Sequence, residues 1–466
     1  KSKSTYRKKP FRKNLFIFGT AFGFGYYLSG IHWITNSLTF DENFKILIPL
    51  GLIFIPLFLS LFFSLITLIL GPFLNLNFLS LLLFSGSLAF SDYLRANILT
   101  GFPWNLWIYS FSWSPEIIQI LNKLGLFSLN LIFLTVFMMP SVLFFNISIK
   151  KKLLYLSIGS LIMFSFFIYG NHSINKNNLV LNTENEKFNI KVISPNFKLE
   201  YGLDDKDIER RLLRLIKMSE ASNDPKTLYI WPEGVFSGYS FEELKSLKKT
   251  IEKNFKNNHF ILFGVNRFDI QKNGYYNSLI IINNKMEILQ EYKKQKLVPF
   301  GEFLPLAKIL TKFGLKKITE GQGSFLRGEN QKNLIYGNLN ILPLICYEII
   351  FTKFVQKSDI NTNLIVNISE DGWFGDSIGP YQHFSKTIFR AIEQDSFLIR
   401  SANKGISAII DNKGKVIKKL TPNEAGNIEL EVPLIKNKNK NKNDLIFFAL
   451  LITYILIFLL LKKNDN

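Results

Sequence analysis

Three side chains that can do chemistry stand directly beside apolar or Pro- and Gly-rich segments. Glu233 follows the apolar run 227–231, Lys294 precedes the segment Leu297-Val-Pro-Phe-Gly-Glu302, and Cys346, the only cysteine, ends the apolar run 341–346. Each has an ordinary structural explanation when it is taken alone: an acid in a turn, a solvated lysine face, and a buried, inert cysteine. Active-site groups of α/β domains collect at the carboxyl ends of strands. Taken together, the three residues therefore predict one shared site.

These residue types are those of a nucleophilic site. A cysteine thiol must lose its proton before it attacks a carbonyl carbon, and the carboxylate of Glu233 is a base that can accept that proton. The attack creates an oxyanion, which the ammonium group of Lys294 and the backbone N–H of Tyr347 can stabilise. With a carboxylate base, no catalytic histidine is needed. The predicted chemistry is attack of Cys346 on a carbonyl compound through a covalent intermediate.

The segments around these residues alternate between strand-like and helix-like patterns, which is typical of an α/β domain. Consecutive strands joined by turns, such as the one at Asn412-Lys-Gly414, favour two packed sheets over one doubly wound sheet. The predicted strands are 188–193, 227–231, 260–265, 278–282, 341–346, 364–368, 407–410 and 416–418, and the predicted helices lie near 204–221, 240–256, 304–313 and 381–394.

Apolar residues are concentrated outside this domain. The chain has 466 residues, a net charge of +20 and 47% hydrophobic residues, which excludes general disorder. A single cysteine excludes an intramolecular disulfide framework and a multi-cysteine zinc site. Since a bilayer-spanning helix needs about 20 apolar residues, six spans are predicted, at about 15–34, 45–70, 74–95, 117–147, 152–170 and 445–461. Asp92 and Arg95, at the end of the third span, are expected to pair or to reach the interface.

Basic residues predict the orientation of these spans. Lys1–Lys13 contains seven Lys or Arg and no acid, Lys150–Lys152 separates the fourth and fifth spans, and Lys462 and Lys463 follow the sixth. Under the positive-inside rule these segments are cytoplasmic, which places residues 171–444 outside the cytoplasm. The run Lys436–Lys442 would then be a solvated linker that meets anionic headgroups. Nucleic-acid binding is not expected, because the lysines are spread and no recognition motif is present.

Several motifs resemble known families. Trp231-Pro-Glu233, Leu297-Val-Pro-Phe-Gly-Glu302 and Cys346-Tyr-Glu348 resemble segments of the carbon–nitrogen hydrolase (nitrilase) superfamily. With the membrane half, the chain is similar to the apolipoprotein N-acyltransferase family over nearly its whole length. The further segments that carry this resemblance are Phe22-Gly-Phe-Gly-Tyr-Tyr-Leu-Ser-Gly-Ile-His-Trp33, Leu99-Thr-Gly-Phe-Pro-Trp-Asn105 and Asp371-Gly-Trp-Phe-Gly-Asp-Ser-Ile-Gly-Pro-Tyr-Gln-His383.

The resemblance implies an architecture and a reaction. It implies a helical membrane domain (1–170), an extracytoplasmic α-β-β-α sandwich (171–435), and a linker with a last spanning helix (436–466). The implied reaction moves an acyl chain from a phospholipid to the N-terminal amine of S-diacylglyceryl-cysteine on an apolipoprotein. It runs through a cysteine thioester in two steps and completes lipoprotein maturation. The implied partners are these two substrates and membrane lipid, the implied state is a monomer, and neither a cofactor nor a metal is expected.

The resemblance also assigns roles to single residues. Spacing to the Leu297–Glu302 motif selects Lys294 over the neighbouring Lys293. The implied catalytic residues are Cys346 as nucleophile, Glu233 as general base and Lys294 as oxyanion stabiliser, with Glu302, Tyr347 and Glu348 in support. The implied substrate-binding residues are Trp104, Tyr201, Trp373 and Phe374.

The chain departs from the family at two places. The family usually begins with two further spans, so the sequence is expected to be truncated or to have a smaller membrane base. The family also places a tryptophan after the first strand of the catalytic domain, where this chain reads Ser194-Pro-Asn-Phe-Lys-Leu-Glu-Tyr201. Tyr201 is expected to substitute for it.

Two other functions stay open at the level of sequence. A membrane-tethered amidase would use the same residues and transfer the acyl group to water. A non-catalytic membrane scaffold or transporter subunit would carry a degenerate hydrolase domain. The presence of Glu233, Lys294 and Cys346 together speaks against the scaffold, and the spans contain no row of ionisable residues for a transport path.

Overall fold

A computed structural model describes residues 11–183, 186–200, 202–221, 225–313, 324–330, 332–435 and 444–464. Tyr201 and the lysine run Lys436–Lys442 lie outside these residues. The chain divides into two compact units, one formed by residues 1–173 with 441–466 and the other by residues 174–440. They are called here the helical unit and the α/β unit.

The described residues form both long helices and short helical turns. The longer helices are α1 (Phe11–Ile31), α2 (Ile48–Leu70), α3 (Phe78–Asn97), α4 (Leu126–Met138), α5 (Ile149–Thr183), α6 (Asp205–Ser219), α7 (Gly379–Gln394) and α8 (Asp444–Asn464). The short α-helices are Pro115–Ile118, Leu121–Leu124, Phe241–Leu244, Lys248–Asn254, Ala307–Leu310 and Thr352–Lys357. The 3₁₀ turns are His32–Phe40, Glu42–Leu47, Gly71–Phe73, Trp107–Phe111, Met139–Phe144, Lys245–Leu247, Thr311–Phe313, Cys346–Ile350 and Asp371–Phe374.

Three helical stretches among the described residues are long and apolar enough to cross a membrane. They are Glu42–Phe73, Leu126–Phe144 and Ile149–Asn177, and a shorter apolar helix covers Asp444–Leu460. A span was expected at about 117–147, and the stretch Leu126–Phe144 lies within that range but begins later. Gly125 has a φ of +80° and separates two helices, because only glycine adopts that conformation without strain. The count of six spans stays a prediction.

Helices α1 and α2 approach each other closely through small residues. A Cβ atom added at Gly19 would lie 2.7 Å from Cα of Ser64, and one added at Gly23 would lie 2.9 Å from Cα of Ser60. The hydroxyls of Thr20 and Ser64 are 2.9 Å apart across the same contact. Small residues that allow backbones to approach, reinforced by hydroxyl hydrogen bonds, are the usual interface between membrane helices.

Two six-stranded sheets form the centre of the α/β unit in the described part of the chain. The strands are β1 (Lys187–Ser194), β2 (Thr227–Ile230), β3 (His259–Asp269), β4 (Gly274–Asn283), β5 (Ile288–Lys293), β6 (Leu334–Tyr336), β7 (Leu339–Ile345), β8 (Leu364–Glu370), β9 (Phe397–Asn403), β10 (Ser407–Ile410), β11 (Val416–Leu420) and β12 (Gly426–Pro433). One sheet has the order β12-β1-β2-β3-β4-β5 and the other the order β11-β10-β9-β8-β7-β6.

The two sheets pack face to face. Their shared apolar core joins residues such as Ile190 and Leu262 of the first sheet to Ile341 and Val366 of the second. A second core packs α6 and neighbouring helices against the other face of the first sheet. Helix α7 buries its apolar residues in the same unit, alongside the second sheet. The predicted α-β-β-α sandwich and the predicted helical membrane domain are both confirmed.

Candidate active site

The three predicted reactive residues follow the ends of three strands. Glu233 comes three residues after β2, Lys294 follows β5 directly, and Cys346 follows β7 directly. Strands β2 and β5 belong to one sheet and β7 to the other, so both sheets contribute to the site. All three side chains are buried, with exposed fractions of 9% for Glu233, 1% for Lys294 and 9% for Cys346.

Lys294 lies between two carboxylates. Its Nζ is 3.3 Å from Oε1 of Glu233 and 2.9 Å from Oε1 of Glu302. Burial alone would lower the pKa of Lys294, but these two carboxylates raise that pKa well above its ordinary value. The ammonium group therefore stays charged, as an oxyanion stabiliser must.

An asparagine that the sequence did not single out completes this cluster. Nδ2 of Asn277 donates to Oε1 of Glu233 and to Oε1 of Glu302, at 2.7 Å each. The backbone N–H of Lys294 donates to the carbonyl oxygen of Asn277 at 2.9 Å. Asn277 sits within β4, where it is one of several polar residues, and no local sequence signal marks it. Its position follows only from the antiparallel pairing of β4 with β5.

Backbone donors orient the second oxygen of each carboxylate. Oε2 of Glu233 accepts from the N–H of Glu370, at the end of β8, at 3.1 Å. Oε2 of Glu302 accepts from the N–H of Val298 at 2.8 Å. The turn that makes this possible places Phe300 at a φ of +63°. Both carboxylates are therefore fixed by the protein, and neither depends on a ligand for its orientation.

The cluster carries more negative than positive charge. Glu233 and Glu302 contribute two carboxylates, whereas Lys294 contributes one ammonium group. One buried cation is therefore shared by two buried acids.

Cys346 has the backbone strain that is typical of functional residues. Its φ is +47°, in the left-handed region that L-residues rarely adopt. Burial, followed by the charge of Glu233, raises the pKa of the thiol, and the nearby Lys294 only partly opposes this shift. The resting side chain is therefore a neutral thiol, which requires a base at the moment of attack.

Glu348 ties the turn of Cys346 to the loop of Lys294. Its Oε1 accepts from the hydroxyl of Tyr292 at 2.9 Å and from the N–H of Gln295 at 2.7 Å. Its Oε2 accepts from the N–H of Ile345 at 2.9 Å. Burial raises the pKa of Glu348 to about 7, against the opposing effect of its backbone donors. Glu348 therefore connects the segment that carries Lys294 to the segment that carries Cys346, and its expected supporting role stays a prediction.

The predicted substrate-binding residues fall in different places. Trp373 and Phe374 are half-buried in the turn that follows β8, and the Phe374 ring packs edge-on against His383 with centroids 5.3 Å apart. Trp104 is buried in the helical unit, with its ring centroid 4.9 Å from that of Trp33. Tyr201 lies outside the described residues. The expected roles of these four residues, and of the Tyr347 backbone N–H, stay predictions.

No metal site was predicted from the sequence. Within the described ranges, no group of three or more His, Cys, Asp or Glu side chains is placed to hold a metal ion. The carboxylates of Glu233 and Glu302 pair with the ammonium group of Lys294, which lies 2.9 Å from Glu302.

The chain matches two family descriptions that together cover most of its length. The carbon-nitrogen hydrolase family matches residues 201–436, and the apolipoprotein N-acyltransferase N-terminal domain matches residues 4–139. The first match defines the α/β unit as a carbon–nitrogen hydrolase domain. A solved structure of XC1258 from Xanthomonas campestris, described as a CN-hydrolase superfamily protein, aligns with a TM-score of 0.39 and 16% identity over 53% of this chain and 91% of that one.

Curated relatives extend the match across both units. The apolipoprotein N-acyltransferase of Rickettsia typhi is 33% identical over 424 residues, which cover 89% of this chain and 83% of the relative. The enzyme of the same name from Rickettsia prowazekii is 32% identical over 95% of this chain and 88% of its own length. The one from Allorhizobium ampelinum is 31% identical over 89% and 79%. The chain belongs to the apolipoprotein N-acyltransferase family.

Proposed function

We propose that this acyltransferase moves an acyl chain from a phospholipid to the N-terminal amine of a diacylated apolipoprotein through a thioester on Cys346. Family membership supports the apolipoprotein as acceptor and the membrane as the place of the reaction. The observation that carries the mechanism is the buried cluster of Glu233, Lys294, Glu302 and Asn277 beside the strained Cys346.

In the first step, Glu233 takes the proton from the Cys346 thiol as the sulfur attacks the ester carbonyl carbon of the phospholipid. The carbonyl oxygen becomes an oxyanion, which the charged Lys294 stabilises. The carbon–oxygen bond of the ester then breaks, and Glu233 returns the proton to the departing alcohol. A lysophospholipid leaves, and the acyl chain stays on sulfur as a thioester.

In the second step, the acceptor amine attacks the thioester carbonyl carbon. Glu233 takes a proton from the attacking nitrogen, Lys294 again faces the oxyanion, and the carbon–sulfur bond breaks. The proton on Glu233 returns to the sulfur, so that the neutral thiol is restored. One set of residues thus serves both halves of a two-step transfer, and Glu302 and Asn277 keep it oriented throughout.

The placement of the domains belongs to the same proposal. We assign residues 1–170 to the membrane domain, 171–435 to the catalytic domain and 436–466 to a linker with the last span. Lysines at 150–152 on the cytoplasmic side favour a periplasmic catalytic domain in the inner membrane. Trp104, Tyr201, Trp373 and Phe374 are proposed to contact the acyl chains, and the protein is proposed to act as a monomer.

Intact-mass spectrometry of the purified full-length protein tests the thioester. Incubation with vesicles of one defined phospholipid should add the mass of one acyl chain to the wild type and none to Cys346→Ala. Since Cys346 is the only cysteine, no other thiol can account for the difference. Cys346→Ala that still N-acylates a diacylated lipopeptide would contradict the mechanism.

A matched acceptor pair separates transfer to an amine from transfer to water. A diacylated lipopeptide with a free N-terminal amine should discharge the acyl-enzyme quickly, whereas the same peptide with an acetylated N-terminus should leave it intact. Equal discharge in both samples and in buffer would identify a membrane-tethered amidase instead.

A further inference from the structure

The nucleophile is held in a conformation that its own residue type disfavours. A left-handed φ is unfavourable at a non-glycine residue and persists only where the surroundings over-determine it. Cys346, at +47°, is such a residue, and it lies at the junction of β7 with the turn Cys346–Ile350. Contacts from other elements must therefore hold it there.

His383 supplies one of these contacts. Its Nε2 is 3.2 Å from the carbonyl oxygen of Cys346, and its side chain is wholly buried. A carbonyl oxygen can only accept, so Nε2 carries the proton and donates. His383 belongs to α7, which follows the nucleophile by more than thirty positions in the sequence. The hydrogen bond thus anchors the main chain of Cys346 to a separate element.

The other ring nitrogen of His383 is held by a buried ion pair. Its Nδ1 lies 3.0 Å from Nη2 of Arg400 and 3.0 Å from Oδ1 of Asp371. Nη2 of Arg400 also donates to Oδ2 of Asp371 at 2.7 Å. Burial lowers the pKa of His383 in spite of the Asp371 carboxylate, and the Arg400 charge adds to the lowering. Nδ1 thus contacts both members of the Arg400–Asp371 ion pair, and Nε2 is the nitrogen that faces the carbonyl oxygen of Cys346.

A serine holds the same aspartate. The hydroxyl of Ser369 donates to Oδ1 of Asp371 at 2.6 Å. The contacts form a continuous chain that begins at the carbonyl oxygen of Cys346 and passes through His383 to the buried ion pair. The members of this chain, called the nucleophile clamp, are Cys346, His383, Asp371, Arg400 and Ser369.

We propose that the nucleophile clamp positions Cys346 for attack, with His383 as its main positioning residue. The proposal rests on the proposed role of Cys346 as nucleophile. His383 does not touch the substrate or take the thiol proton in this scheme; Glu233 does the latter. Its hydrogen bond keeps the strained main chain, and with it the sulfur, in the productive geometry. Such control matters because a misplacement of about 1 Å can lower a rate about 100-fold.

Substitutions at His383 distinguish this role from simple structural support. A glutamine amide can donate from nearly the position of the imidazole Nε2, whereas an asparagine amide reaches only the position of Nδ1. We expect acyl-enzyme formation in His383→Ala and His383→Asn to slow by about 10- to 100-fold at saturating phospholipid, without a comparable rise in KM. His383→Gln should regain most of the rate.

The same variants should change the chemical reactivity of the thiol. The rate of alkylation by iodoacetamide reports on Cys346 alone, since the chain has no second cysteine. Per folded molecule, this rate should fall in His383→Ala and recover in His383→Gln. The pH at which the alkylation rate is half its maximum should stay that of the wild type, because His383 is not the base in this scheme. A midpoint that disappears in His383→Ala would overturn the positioning role.

His259 provides a matched control in the same unit. It is also wholly buried, and its Nδ1 accepts from the N–H of Lys256 at 3.1 Å. His259→Ala should lower stability as a buried histidine change does, yet keep wild-type acylation per folded molecule. Wild-type acylation in His383→Ala as well, or equal rescue by glutamine and asparagine, would overturn the proposal.

Ser369→Ala tests the clamp if His383→Ala fails to fold. It removes the hydrogen bond that Ser369 donates to Asp371 and should slow acylation several-fold. It should combine non-additively with His383→Asn, because both changes act on one chain of contacts. Simple additivity of the two changes would contradict the clamp. Cys346→Ala separately tests the proposed function. Acyl transfer by Cys346→Ala would refute the role of Cys346 as nucleophile. If Cys346→Ala is inactive but His383→Ala has wild-type activity, only the clamp is refuted.

Discussion

Both units of the chain bury a charge cluster, and the two clusters balance their charges differently. In the helical unit Arg95 pairs with Asp92, and their exposed fractions are 2% and 7%. In the α/β unit Lys294 pairs with both Glu233 and Glu302. The first cluster therefore has one acid for one base, whereas the second has two acids for one base.

The partners of the Arg95 cluster are mostly backbone groups. Arg95 donates to the carbonyl oxygens of Phe102 and Asn105, which lie in the loop after α3. Asn130 donates to Oδ2 of Asp92 at 3.0 Å and accepts from the N–H of Ile108 at 3.3 Å. The expected pairing of Asp92 with Arg95 is confirmed. The cluster satisfies the polar groups of an irregular segment inside a membrane domain, where water cannot do so.

The Lys294 cluster lies beside a side chain that could react, that of Cys346. Its carboxylates are fixed by Asn277 and by backbone N–H groups, and it lies beside a strained cysteine whose pKa is raised. Burial and ion pairing are therefore common to both clusters and do not by themselves identify a catalytic site. The second cluster differs in its excess of acidic side chains and in the strained cysteine beside it.

The largest effect is expected from Lys294→Met. Loss of the charged donor to the oxyanion, together with two carboxylates left without their partner, should reduce acyl-enzyme formation by roughly 10³- to 10⁴-fold. Lys293→Met is the matched control, because Lys293 lies over the Tyr276 ring at 4.1 Å and outside the cluster. The rates are measured by intact mass per folded molecule. An equal loss in both variants would remove Lys294 from the mechanism.

Arg95→Met should act on stability and leave catalysis nearly unchanged. Removing one partner of a buried ion pair typically costs about 3–5 kcal/mol of unfolding free energy, and adding Asp92→Asn should restore part of this loss. Thermal unfolding in detergent micelles measures the effect. Lys45→Met, which breaks the exposed pair with Glu42, should cost less than about 1 kcal/mol. If a stable Arg95→Met protein acylates more slowly than the wild type, the Arg95 cluster is not purely structural and the comparison between the clusters is wrong.

Asn277→Ala should have an intermediate effect on the rate of acyl-enzyme formation. Without its amide, the carboxylates of Glu233 and Glu302 lose the donor that holds them together, and acylation should fall by about 10-fold. Asn277→Asp should be worse, since it adds a third acid to a cluster that already has excess negative charge. The rate of acyl-enzyme formation and the thermal unfolding temperature are measured for both Asn277 variants. Equal activity in the two variants would mean that charge balance does not matter here.

The difference between Asn277 and the other site residues shows what the sequence can reveal. Glu233, Lys294 and Cys346 were predictable because each stands beside a strand end or a Pro- and Gly-containing turn. Asn277 lies inside β4 and reaches the site only because Ser278 pairs with Lys293 in the neighbouring strand. Strand register across a sheet is set by tertiary packing, so local patterns do not disclose it.

The fold was predictable to a similar degree. Predicted strands over 188–193, 364–368 and 407–410 fall within observed strands, whereas β5, β6, β9 and β12 were missed. In β9 the polar Arg400 and Asn403 interrupt the apolar pattern, although both are buried and hydrogen-bonded. Strand β12 pairs with β1 from the opposite end of the domain, a contact that no local pattern contains. The helix expected near 240–256 is divided into two short α-helices by the 3₁₀ turn Lys245–Leu247.

A small effect on acyl transfer is expected at Glu370, a buried residue whose backbone N–H donates to Glu233. Burial raises its pKa to about 8, against hydrogen bonds from Asn403 and the N–H of Gly372, and the Glu233 and Asp371 charges raise it further. The native carboxyl then keeps a proton that the unfolded chain loses near its ordinary value of 4.5. Unfolding free energy should therefore fall as pH rises from roughly 4.5 to 8, by at most about 1.4 kcal/mol per pH unit.

Glu370→Gln resembles the protonated acid and does not titrate, so it should flatten this slope. Acylation at neutral pH should change by less than about three-fold, because the N–H that Glu370 donates to Glu233 is a backbone group. Glu209→Gln, at an exposed position on α6, should leave the slope unchanged. The measurement is the unfolding free energy of each variant at a series of pH values. Some slope should remain below about pH 7, because the pKa of Glu348 is also raised, to about 7. A slope between pH 7 and 8 that is equal in wild type and Glu370→Gln would show that Glu370 does not cause it.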